Sequence, residues 1–156
     1  MTEKESAAVD MAAVARVSRR VNLTEVVLTQ LGAHRQPGQH HGSLDVTLKH
    51  AHRVLSWDET RIQVESQYVF VGTQGNTDVV DAMATYQLAY AVETGAPLAE
   101  GDVMAFGPAN GAYHSWPFVR ELLFGLTSKL GFPPFTLPVL TFAPPKPPDV
   151  PEQPTE

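Results

Sequence analysis

The chain has no cysteine. That excludes a disulfide framework, a thiolate nucleophile and a cysteine-ligated zinc site, while constraining the redox compartment only loosely. No stretch approaches the roughly 18 to 20 apolar residues that span a bilayer, and no N-terminal apolar run is long enough for a signal peptide. Positive charge is also scarce. Eleven Lys and Arg stand against 17 Asp and Glu, for a formal net charge of −6. With no basic cluster along one face, the counterion release that drives nucleic-acid binding has little to act through. There is no GxSxG elbow, and GNTD and GPANG are turns without the lysine or repeated glycines of a phosphate loop. The expectation is one soluble, cytoplasmic domain with no nucleic-acid, membrane or cofactor partner, because 156 residues at 43% hydrophobic content suit a single core.

Proline is plentiful and unevenly placed, with six of 13 after residue 143: Pro144, Pro145, Pro147, Pro148, Pro151 and Pro154. Residues 143–156 are read as a disordered, solvated, proline-rich tail. Lys146 against Asp149, Glu152 and Glu156 gives the tail −2, leaving −4 for the rest. Residues 1–20 form an N-terminal arm that is helix-friendly through Ala7, Ala8, Ala12, Ala13, Val14 and Val17. The segment 21–34 is ambiguous by pattern: Leu23, Val27 and Leu31 fit a helix, whereas its β-branched residues favour a strand.

Three runs alternate with period two: Leu44 to Lys49, Arg61 to Phe70, and Asp81 to Glu93. They predict long antiparallel strands with one dry face, joined by turns at Asp58-Glu59 and at 73–78. Helical spacing follows, with Pro97 early in a helix over 97–107 and Ser115 as the N-cap of a second. In the second, Val119, Leu122, Leu126 and Leu130 form a core face and Gly131 is the stop. Strands followed by helices predict an α+β fold.

Six histidines are candidate ligands: His34, His40, His41, His50, His52 and His114. His50 and His52 share a strand face, but without a carboxylate at ligand spacing a metal site is disfavoured. The more unusual feature is an apolar surplus: Met104, Phe106, Tyr113, Trp116, Phe118, Phe124, Phe132, Phe135, Leu137, Leu140 and Phe142. In GFPPFTLPVLTF, Pro133, Pro134 and Pro138 prevent a helix while the residues between are oily, so an extended apolar strip must lie in a groove or form one.

The run HSWPFVRELLFGLTSKLGFPPFTLPVLTF at 114–142 resembles the C-terminal signature of the SecB export chaperones and their SecB-like relatives. Trp116, Pro117, Phe118, Arg120, Glu121, Gly131, Phe132, Pro133, Pro134, Leu137 and Pro138 carry it. The resemblance implies a four-stranded antiparallel sheet of long strands, with C-terminal helices on one face, plus an N-terminal helix, in a domain over 21–142. It makes 21–34 the first strand, with a bulge at Val26-Val27. It implies a homotetramer, a dimer of dimers, that holds non-native polypeptides in hydrophobic grooves without ATP and is not an enzyme. Phe106, Phe132, Phe135, Leu137 and Leu140 are the expected client contacts. Trp116, Pro117, Phe118, Arg120, Glu121, Pro133 and Pro134 are motif or scaffold positions, Arg120 ordering a helix or subunit contact. Export chaperones carry acids on the first strand for docking SecA, and here Glu25 is present but Thr29 stands where a second acid aligns. They also carry a further C-terminal helix where this chain has its proline tail, and the helix before the first strand resembles the relatives that serve toxin–antitoxin pairs. An antitoxin-like client is therefore at least as well matched as preproteins for export. Alternative readings are a metal-dependent or hot-dog-like enzyme and a plain oligomeric interaction domain.

Overall fold

The computed structural model describes residues 8–38 and 40–141. The elements run α1 (Met11–Ser18), β1 (Val21–Arg35), β2 (Asp45–Trp57), β3 (Arg61–Gln74), β4 (Thr77–Val92) and α2 (Glu100–Lys129). The four strands form one antiparallel sheet in the order β1-β4-β3-β2. The fold is α+β, as the alternation of apolar and polar residues led one to expect. The tail, 143–156, and residues 1–7 of the arm lie outside the described residues, as does Phe142.

Tight turns set the strand register. At the β2–β3 turn, the Asp58 carboxylate accepts from the backbone N–H groups of Thr60 at 2.7 Å and Arg61 at 2.9 Å. At the β3–β4 turn, Gly75 takes φ +61°, a left-handed conformation that costs glycine little. Ile62, Val64, Ser66, Tyr68 and Phe70 of β3 share a face with Ala82, Ala84, Tyr86, Leu88 and Tyr90 of β4, and this face carries the core.

The ambiguous segment is a strand, and its irregularities differ from the single bulge expected at Val26-Val27. The pairing with β4 slips twice, between Leu23 and Glu25 and between Leu28 and Gln30. The extra residue is a threonine each time. Thr24 Oγ1 donates to the Ala89 carbonyl at 3.0 Å and Thr29 Oγ1 to the Thr85 carbonyl at 3.2 Å. A bulge disrupts the ladder, and the two hydroxyls supply donors where it is disrupted. The slips also restore phase. Leu23, Val26, Leu28, Leu31 and Ala33 pair with Tyr90, Leu88, Tyr86, Ala84 and Ala82 on the apolar face, although their spacing in sequence is uneven.

Two helices were expected after the sheet, yet one helix runs unbroken from Glu100 to Lys129 with Pro108 and Pro117 inside it. A proline lacks the N–H for the carbonyl four residues back, so the carbonyls of Met104 and Tyr113 have no such partner. Both prolines lie on the exposed side of the helix, away from the sheet. Pro97 precedes the helix instead of lying in it, and Ala99 is the N-cap. Ser115 is no cap but an interior residue, wholly buried, because its hydroxyl has partners inside: Tyr68 Oη at 2.6 Å and the Gly111 carbonyl one turn earlier.

The buried stripe of α2 recurs every fourth residue: Val103, Gly107, Gly111, Ser115, Val119, Leu123 and Thr127. A four-residue interval drifts about 40° per step around a 3.6-residue helix, so the stripe winds as it advances. Its small residues sit closest to the sheet. A Cβ on Gly111 would lie 2.7 Å from Val64 Cγ1 and 3.1 Å from Ser66 Oγ, and one on Gly107 would overlap Val54. The helix accordingly packs on β2 and β3, far less on β4.

The N-terminal helix is α1, capped by Asp10, whose carboxylate accepts from Ala12 and Ala13 N–H. It buries Ala13, Val14 and Val17 and pairs Arg16 with Asp102 of α2 in two bonds of 2.7 and 2.8 Å. The pair is largely exposed, so apolar burial is the larger contribution.

Gly111→Val should lower stability by about 1 to 3 kcal/mol through overpacking against Val64 and Ser66. Urea unfolding should show a lower midpoint at an unchanged slope.

Candidate functional site

The chain leaves α2 through a glycine stop. Gly131 takes φ +81°, its N–H donates to the Ser128 carbonyl and the Phe132 N–H donates to the Thr127 carbonyl, which together make a Schellman cap. Residues 131–141 then return along the molecule as an extended strap without regular secondary structure. Arg35, at the end of β1, secures its start: the guanidinium donates to the Leu130 carbonyl at 2.8 Å and the His40 carbonyl at 3.0 Å, and stands 5.0 Å over the Phe132 ring. A cation among the last carbonyls of a helix also opposes the negative end of its dipole.

Further along, the Phe135 N–H donates to Thr127 Oγ1 at 2.9 Å, and Trp116 Nε1 donates to the Pro138 carbonyl at 2.8 Å. Phe132 and Leu137 are 4% and 3% exposed. They plug the strap into the core while Pro133, Pro134, Pro138 and Val139 face out. The oily strip is thus neither a helix nor a free strand but a wall. On one side lies an open cleft of about 810 Å³, lined by Tyr113, His114, Trp116, Pro117, Phe118, Arg120, Glu121 and Phe124 of α2, Thr136, Val139 and Leu140 of the strap, and Leu23 of β1. A second cleft of about 450 Å³ lies between the strap and β2, lined by Leu44, Val46, Leu48, His50, Trp116, Phe135, Leu137 and Pro138, with Asp45. Trp116 borders both.

The expected client contacts divide. Phe135 and Leu140 border the clefts, and Leu137 lines one with little of itself exposed. Phe106 is 1% exposed in the core, its ring against Tyr90 at 5.0 Å. Phe106, Phe132 and Leu137 each fill a core position and shape the surface from behind. The residues expected as scaffold are the ones at the larger cleft. Phe118 is 45% exposed, and Pro117, Arg120 and Glu121 face the opening. Among the described residues neither Arg120 nor Glu121 makes a side-chain hydrogen bond or ion pair. Tyr113 and Phe124, 60% and 50% exposed, were overlooked as site residues. The signal was available, since both are aromatic and out of phase with Val119 and Leu123 on the helix.

Exposed apolar surface continues onto β1, where Leu23, Leu28 and Leu31, on the same face of the sheet, remain open to solvent. A contiguous apolar surface of this extent is uncommon on a monomer and marks a contact surface. The larger cleft offers apolar walls, one cation and one anion, and no nucleophile paired with a base.

The histidines are mostly spread apart. Among the described residues, no group of three or more His, Asp or Glu could hold a metal ion. His50 and His52 do meet, with Nδ1 and Nε2 2.8 Å apart, but His52 Nδ1 is engaged by Ser66 Oγ at 2.8 Å. Burial holds His52 far below the ordinary imidazole range, at about 4, and the neighbouring His50 pushes in the same direction. His114 is likewise lowered by burial; its Nδ1 lies 2.9 Å from Tyr90 Oη. Burial raises the Tyr68 phenol to about 12.

No protein-family model matches the chain, and no curated protein matches it. Among solved structures, it aligns with a Mycobacterium tuberculosis SecB-like chaperone in complex with a ChAD peptide from the HigA1 antitoxin. The TM-score is 0.74 at 22% identity, over 83% of this chain and 98% of that one. A protein of unknown function from Streptococcus agalactiae aligns at TM-score 0.44 and 15% identity, over 76% of this chain and 97% of that one. The chain has the SecB-like fold.

A histidine whose folded pKa is depressed favours the unfolded state wherever that state binds the extra proton. Between about pH 4 and pH 6.5, stability should rise with pH as His52 loses its unfolded-state advantage. Thermal unfolding at pH 5 and pH 7 should show a lower Tm at pH 5. His52→Gln should narrow that difference, and a gap as wide as the parent's would refute the assignment.

Proposed function

We propose that the chain is an ATP-independent chaperone that holds extended, apolar polypeptide in the cleft between α2 and the strap. The observation that carries this reading is the set of outward aromatics on α2, Tyr113, Phe118 and Phe124, beside a cleft of about 810 Å³. The SecB-like fold supports it, and so does the antitoxin peptide bound by the mycobacterial neighbour. Such a surface accepts many sequences because affinity comes from apolar burial, with few fixed polar pairs to discriminate.

The proposed client is an antitoxin-like segment rather than a preprotein bound for SecA. At the position where a second acid would align for SecA, Thr29 is the bulged residue of β1 and donates to the Thr85 carbonyl of β4, a structural reason for a residue other than an acid there. Protein purified with a client peptide but showing robust SecA binding would overturn that preference. The domain is taken as 21–142, flanked by the arm and tail, and works in the cytoplasm. Among the described residues no helix is long and apolar enough to cross a membrane. Assembly as a dimer of dimers would use the open apolar face of β1, where Leu28 and Leu31 stand exposed.

Phe124→Asp should weaken binding of a leucine- and phenylalanine-rich unfolded peptide at least tenfold, by placing a charge in the apolar cleft, with Tm little changed because the side chain is half exposed. Fluorescence anisotropy with a labelled peptide measures it. The parent chain should also suppress aggregation of an unrelated unfolded protein without nucleotide. If an equimolar amount does nothing, and no antitoxin-like peptide binds either, the chaperone reading is wrong.

A further inference from the structure

The strap ends at Thr141 beside the larger cleft, with Val139 and Leu140 in its wall, and residues 142–156 follow. Within them, prolines recur every third residue at Pro145, Pro148, Pro151 and Pro154. A polyproline II helix has three residues per turn, so these four prolines would align in one row. The adjacent row, Pro147 and Val150, is also apolar, and the third carries Lys146, Asp149 and Glu152. Proline rows of this kind dock on aromatic-lined grooves.

The cleft has the matching chemistry. Tyr113, Phe118 and Phe124 project from α2, and Arg120 and Glu121, the two charges at the opening, have no side-chain partner among the described residues. Arg120 complements Asp149 and Glu152, and Glu121 complements Lys146. Length also suffices. From Pro145 to Pro154 a polyproline II segment spans about 28 Å at about 3.1 Å per residue. The stretch of α2 from Tyr113 to Phe124 is about 17 Å long at about 1.5 Å per residue.

We propose that the proline row of the chain's own tail docks as a polyproline II helix in the cleft between α2 and the strap and competes there with clients. The competition, though not the docking, rests on the reading of that cleft as the polypeptide site. A tethered occupant acts at high local concentration, and a client binds only the fraction of molecules whose cleft is open. The tail is thereby a built-in regulator of client access.

The test compares the full chain with a variant in which Pro145, Pro148, Pro151 and Pro154 are all replaced by Ser. Amide NMR shifts of Tyr113, Phe118 and Phe124 report the cleft, those of α1 serve as the control, and a labelled leucine- and phenylalanine-rich peptide without proline reports client affinity. The expected result is a shift confined to the cleft amides, independent of protein concentration, and peptide affinity raised at least threefold. Cleft amides unmoved by the substitutions overturn the docking, whatever the peptide does. Shifts that grow with protein concentration assign the cleft to another copy's tail and overturn the intramolecular form. Shifted amides with unchanged affinity overturn the competition, and shifted amides with a peptide that binds neither protein keep the docking while sinking the chaperone reading.

Discussion

The close approach of α2 to β2 and β3 is the constraint on which the rest of the molecule turns. Gly107 and Gly111 leave no room for a Cβ against Val54 and Val64, so the helix axis comes nearer to that half of the sheet than larger side chains would permit. One helix drawn to one half cannot cover the other. The apolar row of β1, brought into phase by two threonine-repaired bulges, is left with Leu23, Leu28 and Leu31 exposed. A surface that a monomer would normally bury is thus held open by packing elsewhere in the fold.

The same geometry explains the winding stripe of α2. Near Gly111 and Ser115 its buried positions meet β3, whereas Thr127, three turns later, serves the strap through its hydroxyl and carbonyl. A straight 3.6-residue stripe would address only one of these layers. The four-residue interval addresses both, and it leaves positions off the stripe free for Tyr113, Phe118 and Phe124.

The sheet was legible in the sequence because alternation is a local signal: each run of period two names its own strand and its own dry face. The helix was harder. Ser115 before Pro117 has the chemistry of a cap, and only the tertiary partners Tyr68 and Gly111 make it an interior residue. Burial of the aromatics was hard to read for a related reason. Hydrophobicity marks Phe106 and Phe124 equally, and their opposite fates follow from phase relative to a sheet that sequence does not position. The bulges were half legible: slippage in the alternation of 21–34 showed that a register defect existed, but its two locations depend on pairing with β4.

Proline content takes on a different meaning once the strap is seen as a wall. Ordering a residue costs about 1 to 2 kcal/mol of backbone entropy, while fully burying a Phe or Leu gains about 1.5 to 3 kcal/mol. Phe132 and Leu137 alone therefore cannot hold some ten residues in place. Pro133, Pro134 and Pro138 reduce the cost by restricting the unfolded chain, and Arg35, Trp116 and Thr127 add hydrogen bonds at three points along the strap. The strap is thus held by a few separate anchors and not by a continuous ladder of backbone hydrogen bonds. Trp116 ties the two sides of the wall together, since its indole borders both clefts and its N–H holds the strap at the Pro138 carbonyl between them.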